Sequence, residues 1–213
     1  TLGADCGIGM AAALAVMLDE TVEHGPVEAL FTVDEETGLT GAFELGEGML
    51  TGKYLVNLDS EDEGEIFIGC AGGIDTIATF HYTMEPSPKN YTFFRVDVSD
   101  LQGGHSGDDI DKGRVNSNKT VARLLWDGMQ SFELKLCYFN GGNLRNAIPR
   151  EAYAIFGVPV RFKEEFVKRY NLFAADLEAE FRFREPNFKI TLNEMPHVDE
   201  VLDSRTQSAL VYS

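Results

Sequence analysis

Basic residues are scarce in this chain: 18 Lys and Arg stand against 35 Asp and Glu, a formal net charge of −17 over 213 residues. A protein that follows a phosphate backbone needs a basic face, so the balance argues against nucleic-acid binding and disfavours an anionic membrane surface. Cysteine is scarce as well. Cys6, Cys70 and Cys137 are an odd number without a C-x-x-C pair, which gives no disulfide framework and points to a reducing compartment, the cytoplasm. Long hydrophobic runs are missing, because charges or glycines interrupt every apolar stretch, and no spanning segment is read. Gly7-x-Gly9 lacks the further glycine or the Gly-Lys-Ser/Thr of a phosphate loop. What remains is 44% hydrophobic and 11% aromatic, enough for a globular core, with the acidity read as a solubility feature.

The most informative stretch is Thr32-Val33-Asp34-Glu35-Glu36-Thr37-Gly38. Residues 27–33 read as a buried strand bounded by Gly25-Pro26 and by three consecutive carboxylates. Such carboxylates repel one another and need either a positive partner or water. Asp5 ends a similar short apolar run, and Asp59 closes the run 53–58. With residues 10–18 and 38–50 read as helices, the order is strand, helix, strand, helix, strand, a unit of the βαβ kind. If these strands are parallel neighbours, Asp5, Glu35, Glu36 and Asp59 converge at their carboxyl ends, where open α/β sheets bind ligands. That pattern fits a divalent-metal site, possibly double. It equally fits surface acids that merely terminate strands, and the residues alone leave both readings open.

The texture changes at Gly72-Gly73, the expected domain boundary. Residues 74–84 alternate as a strand should, and a strand (93–98), a helix (115–129), two strands (132–139 and 151–158), a helix (162–181) and a strand (188–192) follow. That order is the split βαβ, ferredoxin-like arrangement. The tail 198–212 reads as helical. Gly103-Gly104-His105-Ser106-Gly107 stands out, since glycines around one histidine leave its ring and backbone open to close approach. An ordinary loop histidine is the competing reading. His24 is assigned to a surface turn, and His81 and His197 to structural roles.

Several segments together resemble the aminoacyl-histidine dipeptidases (peptidase D, bacterial carnosinase-like enzymes), a family of di-zinc metallopeptidases. They are Thr1-Leu2-Gly3-Ala4-Asp5-x-Gly7-Ile8-Gly9-Met10-Ala11, Glu35-Glu36, Asn57-Leu58-Asp59-Ser60-Glu61 and Gly69-Cys70-Ala71-Gly72-Gly73. Gly103-Gly104-His105-Ser106-Gly107 and Asn140-Gly141-Gly142-x-Leu144-Arg145-Asn146-Ala147-Ile148-Pro149-Arg150 complete the set. The order of the motifs makes the resemblance specific from Thr1 to Arg150.

The resemblance implies an α/β protein. Residues 1–72 would form part of the zinc-peptidase α/β domain, and residues 73–213 a ferredoxin-like (βαββαβ) α+β lid and homodimerisation domain, incomplete at its C-terminal end. It further implies that Asp5 bridges two Zn2+ ions, Glu36 binds one and Asp59 the other, while Glu35 takes a proton from the metal-bound water. His105 would reach a peptide substrate across the dimer and stabilise its oxyanion, and Asn146 would bind substrate. The implied reaction is hydrolysis of a dipeptide, Xaa-His in this family.

Departures from the family pattern matter. Two ligand histidines of the family, one upstream of the first motif and one near the C-terminus, have no counterpart here. Position 6, usually asparagine or aspartate, is Cys6. Carboxylates without imidazole make a weaker, less selective zinc site. The expectation is therefore a segment of a longer enzyme that does not hold two zincs alone. The alternatives are a catalytically inactive relative, a dimerisation module, or a deacylase or carboxypeptidase on the same scaffold.

Overall fold

The computed structural model describes residues 6–60, 63–70 and 72–213. The chain divides into two compact units, Thr1–Gly72 and Gly73–Ser213.

In the first unit, Gly7–Leu18 forms helix α1, followed by two single-turn helices, α2 (Glu35–Gly38) and α3 (Thr40–Phe43). None of its described residues is buried. The strands expected over 27–33 and 53–58 are absent from the described residues. A strand exists only through a ladder with a neighbour, and neither segment forms one there. The first segment is instead tied to the residues just before the second: the Glu28 carboxylate accepts from the Thr51 N–H (2.8 Å) and hydroxyl (2.9 Å) and from the Gly52 N–H (2.9 Å). These bonds, the Thr51 N–H first, hold the Glu28 carboxyl below its usual range. The apolar sequence of α1, read as a helix that packs on a sheet, carries no buried residue. Ile8 and Leu18 are 76% and 77% exposed, so apolarity marks a helix fit to be covered without supplying the cover.

The second unit holds a short strand β1 (Met84–Pro86), then β2 (Tyr91–Ser99), α4 (Ser117–Ser131), β3 (Lys135–Gly141), β4 (Ala152–Pro159), α5 (Lys163–Phe181), β5 (Lys189–Met195), β6 (Glu200–Leu202) and α6 (Ser204–Tyr212). Four strands make one antiparallel sheet in the order β3-β4-β2-β5. That is the ferredoxin-like topology expected from β-α-β-β-α-β. Strand alternation sends Phe94, Val96 and Val98 of β2 and Ala154, Phe156 and Val158 of β4 to one face, where they join Val121, Leu124 and Leu125 of α4 and Phe166 and Leu177 of α5. A bulge between Leu136 and Tyr138 changes the parity of β3. Leu136 therefore enters that core, while Cys137 joins Phe93 and Val201 in a smaller cluster. Burial pushes the Cys137 thiol up to about 12 and leaves it inert.

Two expectations about this unit fail. Residues 74–83 alternate but form no strand; only Met84–Pro86 finds a partner, pairing antiparallel with β6. The tail is not one helix but β6 followed by α6. Asp203 separates them, its carboxylate accepting from the N–H groups of Arg205 (3.0 Å) and Thr206 (2.9 Å) and from the Thr206 hydroxyl (2.5 Å), as an N-cap does. It also accepts from the Thr83 N–H at 3.2 Å, which anchors the chain just before β1.

Those bonds, the Thr206 hydroxyl first, lower the Asp203 carboxyl to about 2. A folded-state value below the unfolded one contributes stability that is complete above the unfolded value and lost as pH falls through the folded one. The window is therefore between about 4 and about 2. Asp203→Ala is expected to lower Tm at pH 7 by about 2–4 °C and to remove the part of the acid destabilisation that falls in this window. Thermal melts of both proteins from pH 7 to pH 2 check it; an unchanged difference in Tm at the acid end would rule out the cap.

Candidate functional site

Candidate residues occur in both units. In the first, the turn after residue 33 is built on Asp34, which adopts the left-handed conformation (φ 58°) that aspartate tolerates better than most residues. Its carbonyl accepts from the Leu39 N–H at 2.8 Å, and its carboxylate accepts from the Thr40 hydroxyl at 2.9 Å. The Gly41 N–H donates to the Val33 carbonyl at 3.2 Å and closes the turn. Asp34 is thus occupied in local structure. Glu35 and Glu36, in the first turn of α2, are exposed and bathed by water. Asp59 is also exposed, with its N–H directed at the Asn57 side chain at 3.3 Å. Cys6 donates to the Leu58 carbonyl at 3.6 Å, which brings the start of α1 beside the residue preceding Asp59.

Glu36 and Asp59 offer the carboxylate oxygens that divalent cations take. Asp5, the expected bridging ligand, lies outside the described residues, as does Glu61. Among the described residues no three His, Cys, Asp or Glu side chains gather closely enough to hold a metal ion. The described residues therefore do not make up a metal centre by themselves.

In the second unit the structure brings two candidates together. His105 and Ala147 form an isolated antiparallel bridge, with the Ser106 N–H donating to the Asn146 carbonyl (2.9 Å) and the Ile148 N–H to the Gly104 carbonyl (2.8 Å). His105 and Asn146 accordingly sit on adjoining strands of chain, both exposed. The glycines before His105 are needed for backbone reasons rather than for approach by a ligand. Gly103 (φ 68°) packs on the Arg150 side chain, and a Cβ on Gly104 (φ 151°) would lie 2.5 Å from an Asp109 carboxylate oxygen. That Asp109 carboxylate accepts the His105 N–H at 2.7 Å and pairs with Lys112 at 2.7 Å. The lysine and then the histidine N–H hold the Asp109 carboxyl below its usual range.

The imidazole itself is oriented. Nδ1 of His105 accepts from the Gly107 N–H (3.1 Å) and the Asp108 N–H (3.3 Å). Two donors aimed at Nδ1 place the ring proton of the neutral form on Nε2. The Asp108 carboxylate is 3.6 Å from Nδ1 but 89% exposed, so water screens its pull toward the other tautomer. The result is a half-exposed ring with an outward N–H donor, able to bind developing negative charge.

Sequence reasoning missed three supports of this loop. Asp109 caps it, Arg150 donates from Nε to the Leu101 carbonyl at 2.9 Å, and Glu185 binds it from below. Asp109 had a readable signal in its spacing of four residues from His105, and Arg150 closes the motif 140–150 without a role having been read for it. Of the remaining histidines, His197 packs edge-on against Phe93 (5.1 Å between centroids) and lies 3.2 Å from the Ser87 hydroxyl, a structural role as expected. His24 lies in an exposed turn, also as expected. His81 is exposed outside any strand.

No family model matches the chain. It is 42% identical to the cytosol non-specific dipeptidase of Escherichia coli (strain K12) over 211 residues, 99% of this chain and 44% of that protein. It is 44% identical over 71 residues to an uncharacterized Bacillus subtilis (strain 168) protein, YqjE, covering 32% of this chain and 19% of that one. The crystal structure of aminoacylhistidine dipeptidase from Vibrio alginolyticus superimposes on it with a TM-score of 0.80 at 42% identity, covering 100% of this chain and 43% of that one. The chain thus spans somewhat less than half the length of the dipeptidases it matches.

Proposed function

This chain is a relative of the aminoacyl-histidine dipeptidases over nearly its whole length, and from that premise we propose that it takes part in the hydrolysis of dipeptides, Xaa-His among them, in the cytoplasm. The observation that carries the proposal is the His105–Ala147 bridge, which sets the chain at Asn146 alongside the His105 loop, together with the two backbone N–H groups that hold the imidazole as an Nε2–H donor. In this reading His105 donates to the carbonyl oxygen of the substrate as it becomes an oxyanion, and Asn146 fixes the substrate's polar end. Glu35, exposed and with no side-chain hydrogen bond among the described residues where Asp34 has one, takes the proton of the attacking water. Asp5, Glu36 and Asp59 are assigned to a pair of Zn2+ ions, which when bound polarise the scissile carbonyl and acidify water. Residues 1–72 belong to the catalytic domain, and 73–213 form the lid through which two copies pair.

The full-length protein is expected to release histidine from Xaa-His dipeptides, to stop when zinc is chelated and to recover when zinc is returned. Rates measured before chelation, after it and after zinc repletion check this. Absence of hydrolysis across a panel of dipeptides with zinc restored would discard the proposal.

A further inference from the structure

Glu185 is an acid where sequence gives no reason for one. It lies four residues beyond the end of α5 and is 2% exposed, yet no basic side chain among the described residues satisfies it. Its partners are two backbone N–H groups far apart in sequence. Oε2 accepts from Gln102 at 2.7 Å and Oε1 accepts from Val115 at 3.2 Å. Those two residues bound the segment that contains His105, Asp109 and the glycine turn. A buried carboxylate that spends one oxygen on each end of a loop fixes the distance between those ends, and both bonds are charge-assisted. The base of the clamp is firm: the Glu185 N–H donates to the Phe181 carbonyl at 2.8 Å, Phe181 is buried in the core, and the Gln102 side chain donates to the Arg184 carbonyl at 2.5 Å.

We infer that Glu185 is a positioning residue for His105, holding the 102–115 loop at the setting in which the imidazole Nε2–H faces substrate. The inference rests on the hydrolytic role proposed for His105. Glu185 does not reach the reacting atoms; it acts through the loop. Loss of the clamp lets the ring drift while the fold around α5 persists. An oxyanion donor displaced by about 1 Å forfeits most of its effect.

Glu185→Gln tests it, because the amide keeps one acceptor and turns an NH2 group toward the other backbone N–H. In the full-length protein, kcat for a Xaa-His dipeptide is expected to fall about 10–100-fold with KM within about threefold. In a His105→Ala background the same change is expected to cost less than about threefold, since residues acting as a unit are not additive. Amide exchange at Gln102 and Val115, followed by NMR, should quicken about tenfold while the β2 and β4 amides stay protected. Glu185→Asp, which keeps both oxygens but shortens the reach, should lie between the two and serves if the glutamine variant fails to fold. Unchanged exchange at Gln102 and Val115, or an equal loss of kcat with and without His105, would overturn the inference. If the unmodified protein cleaves no dipeptide, the hydrolytic reading and the positioning role resting on it fall together, and faster exchange would then show only a structural clamp.

Discussion

Glu35→Gln is expected to lower kcat for dipeptide hydrolysis by the full-length protein about 10³-fold while KM stays within about threefold. The substitution is nearly isosteric and removes only the ability to accept a proton. Glu35 is exposed and makes no hydrogen bond to another side chain among the described residues, so the loss would not come from unfolding. Zinc content is the discriminating measurement. With Glu35 as base the variant keeps its zinc; Glu36→Gln and Asp59→Asn, assigned as ligands, lose it. Asp34→Asn provides the internal control, because that carboxylate is already engaged with the Thr40 hydroxyl. It should weaken the turn slightly and leave chemistry nearly intact. A Glu35→Gln protein that lost zinc in proportion to activity would be a ligand variant, and the base would have to be sought elsewhere.

The adjacency of Glu35 and Glu36 shows what a sequence can and cannot deliver. Acids after an apolar run are legible because their chemistry is in their side chains. Which of three neighbours is spent on local structure is not, because it depends on the left-handed turn at Asp34 and on a hydroxyl six residues away. The same limit applies to the segments 27–33 and 53–58. Their apolar content marks them for burial, but a ladder depends on neighbours, and Glu28 of the first bonds instead to Thr51 and Gly52, just before the second.

The second unit was far more legible, and the reason is physical. In β2 and β4 alternation, β-branched and aromatic content and bounding turns all agree, and a wide antiparallel sheet rewards that agreement on one face. Where cues conflicted, the reading failed. Residues 74–83 alternate but lack a partner strand. In the tail, Asp203 with Thr206 three residues on is a helix-start signal, and two consecutive buried apolar residues before it, Val201 and Leu202, suit a strand better than a helix face. Glu185 was beyond reach altogether. Its burial is produced by loop ends that arrive from 70 and 83 residues away, and a charged residue in Arg182-Phe183-Arg184-Glu185-Pro186 reads as solvated surface.

Phe166→Ala is expected to destabilise the second unit by about 3–5 kcal/mol, the usual cost of emptying a buried aromatic site. The ring is 1% exposed on the inner face of α5 and meets three others: Phe156 of β4 at 5.4 Å, Phe94 of β2 at 5.6 Å and Phe132, just after α4, at 5.6 Å. No single neighbour can fill the cavity, because each is already packed against the sheet or against another ring. Chemical denaturation of Phe166→Ala beside Trp126→Ala checks the size of the effect. Trp126 is larger but 47% exposed, so its removal should cost less than about half as much. Equal losses would mean that the cluster around Phe166 is not the keystone of this core. The consequence reaches the loop as well. Phe166 pins α5 to β2, which leads into the His105 segment, and to β4, which follows its bridge partner Ala147, and Glu185 hangs from the far end of α5 by its N–H bond to the Phe181 carbonyl. A cavity at Phe166 should therefore speed amide exchange at Gln102 and Val115 even under conditions where the unit remains folded, and it should lower kcat before it lowers the folded fraction.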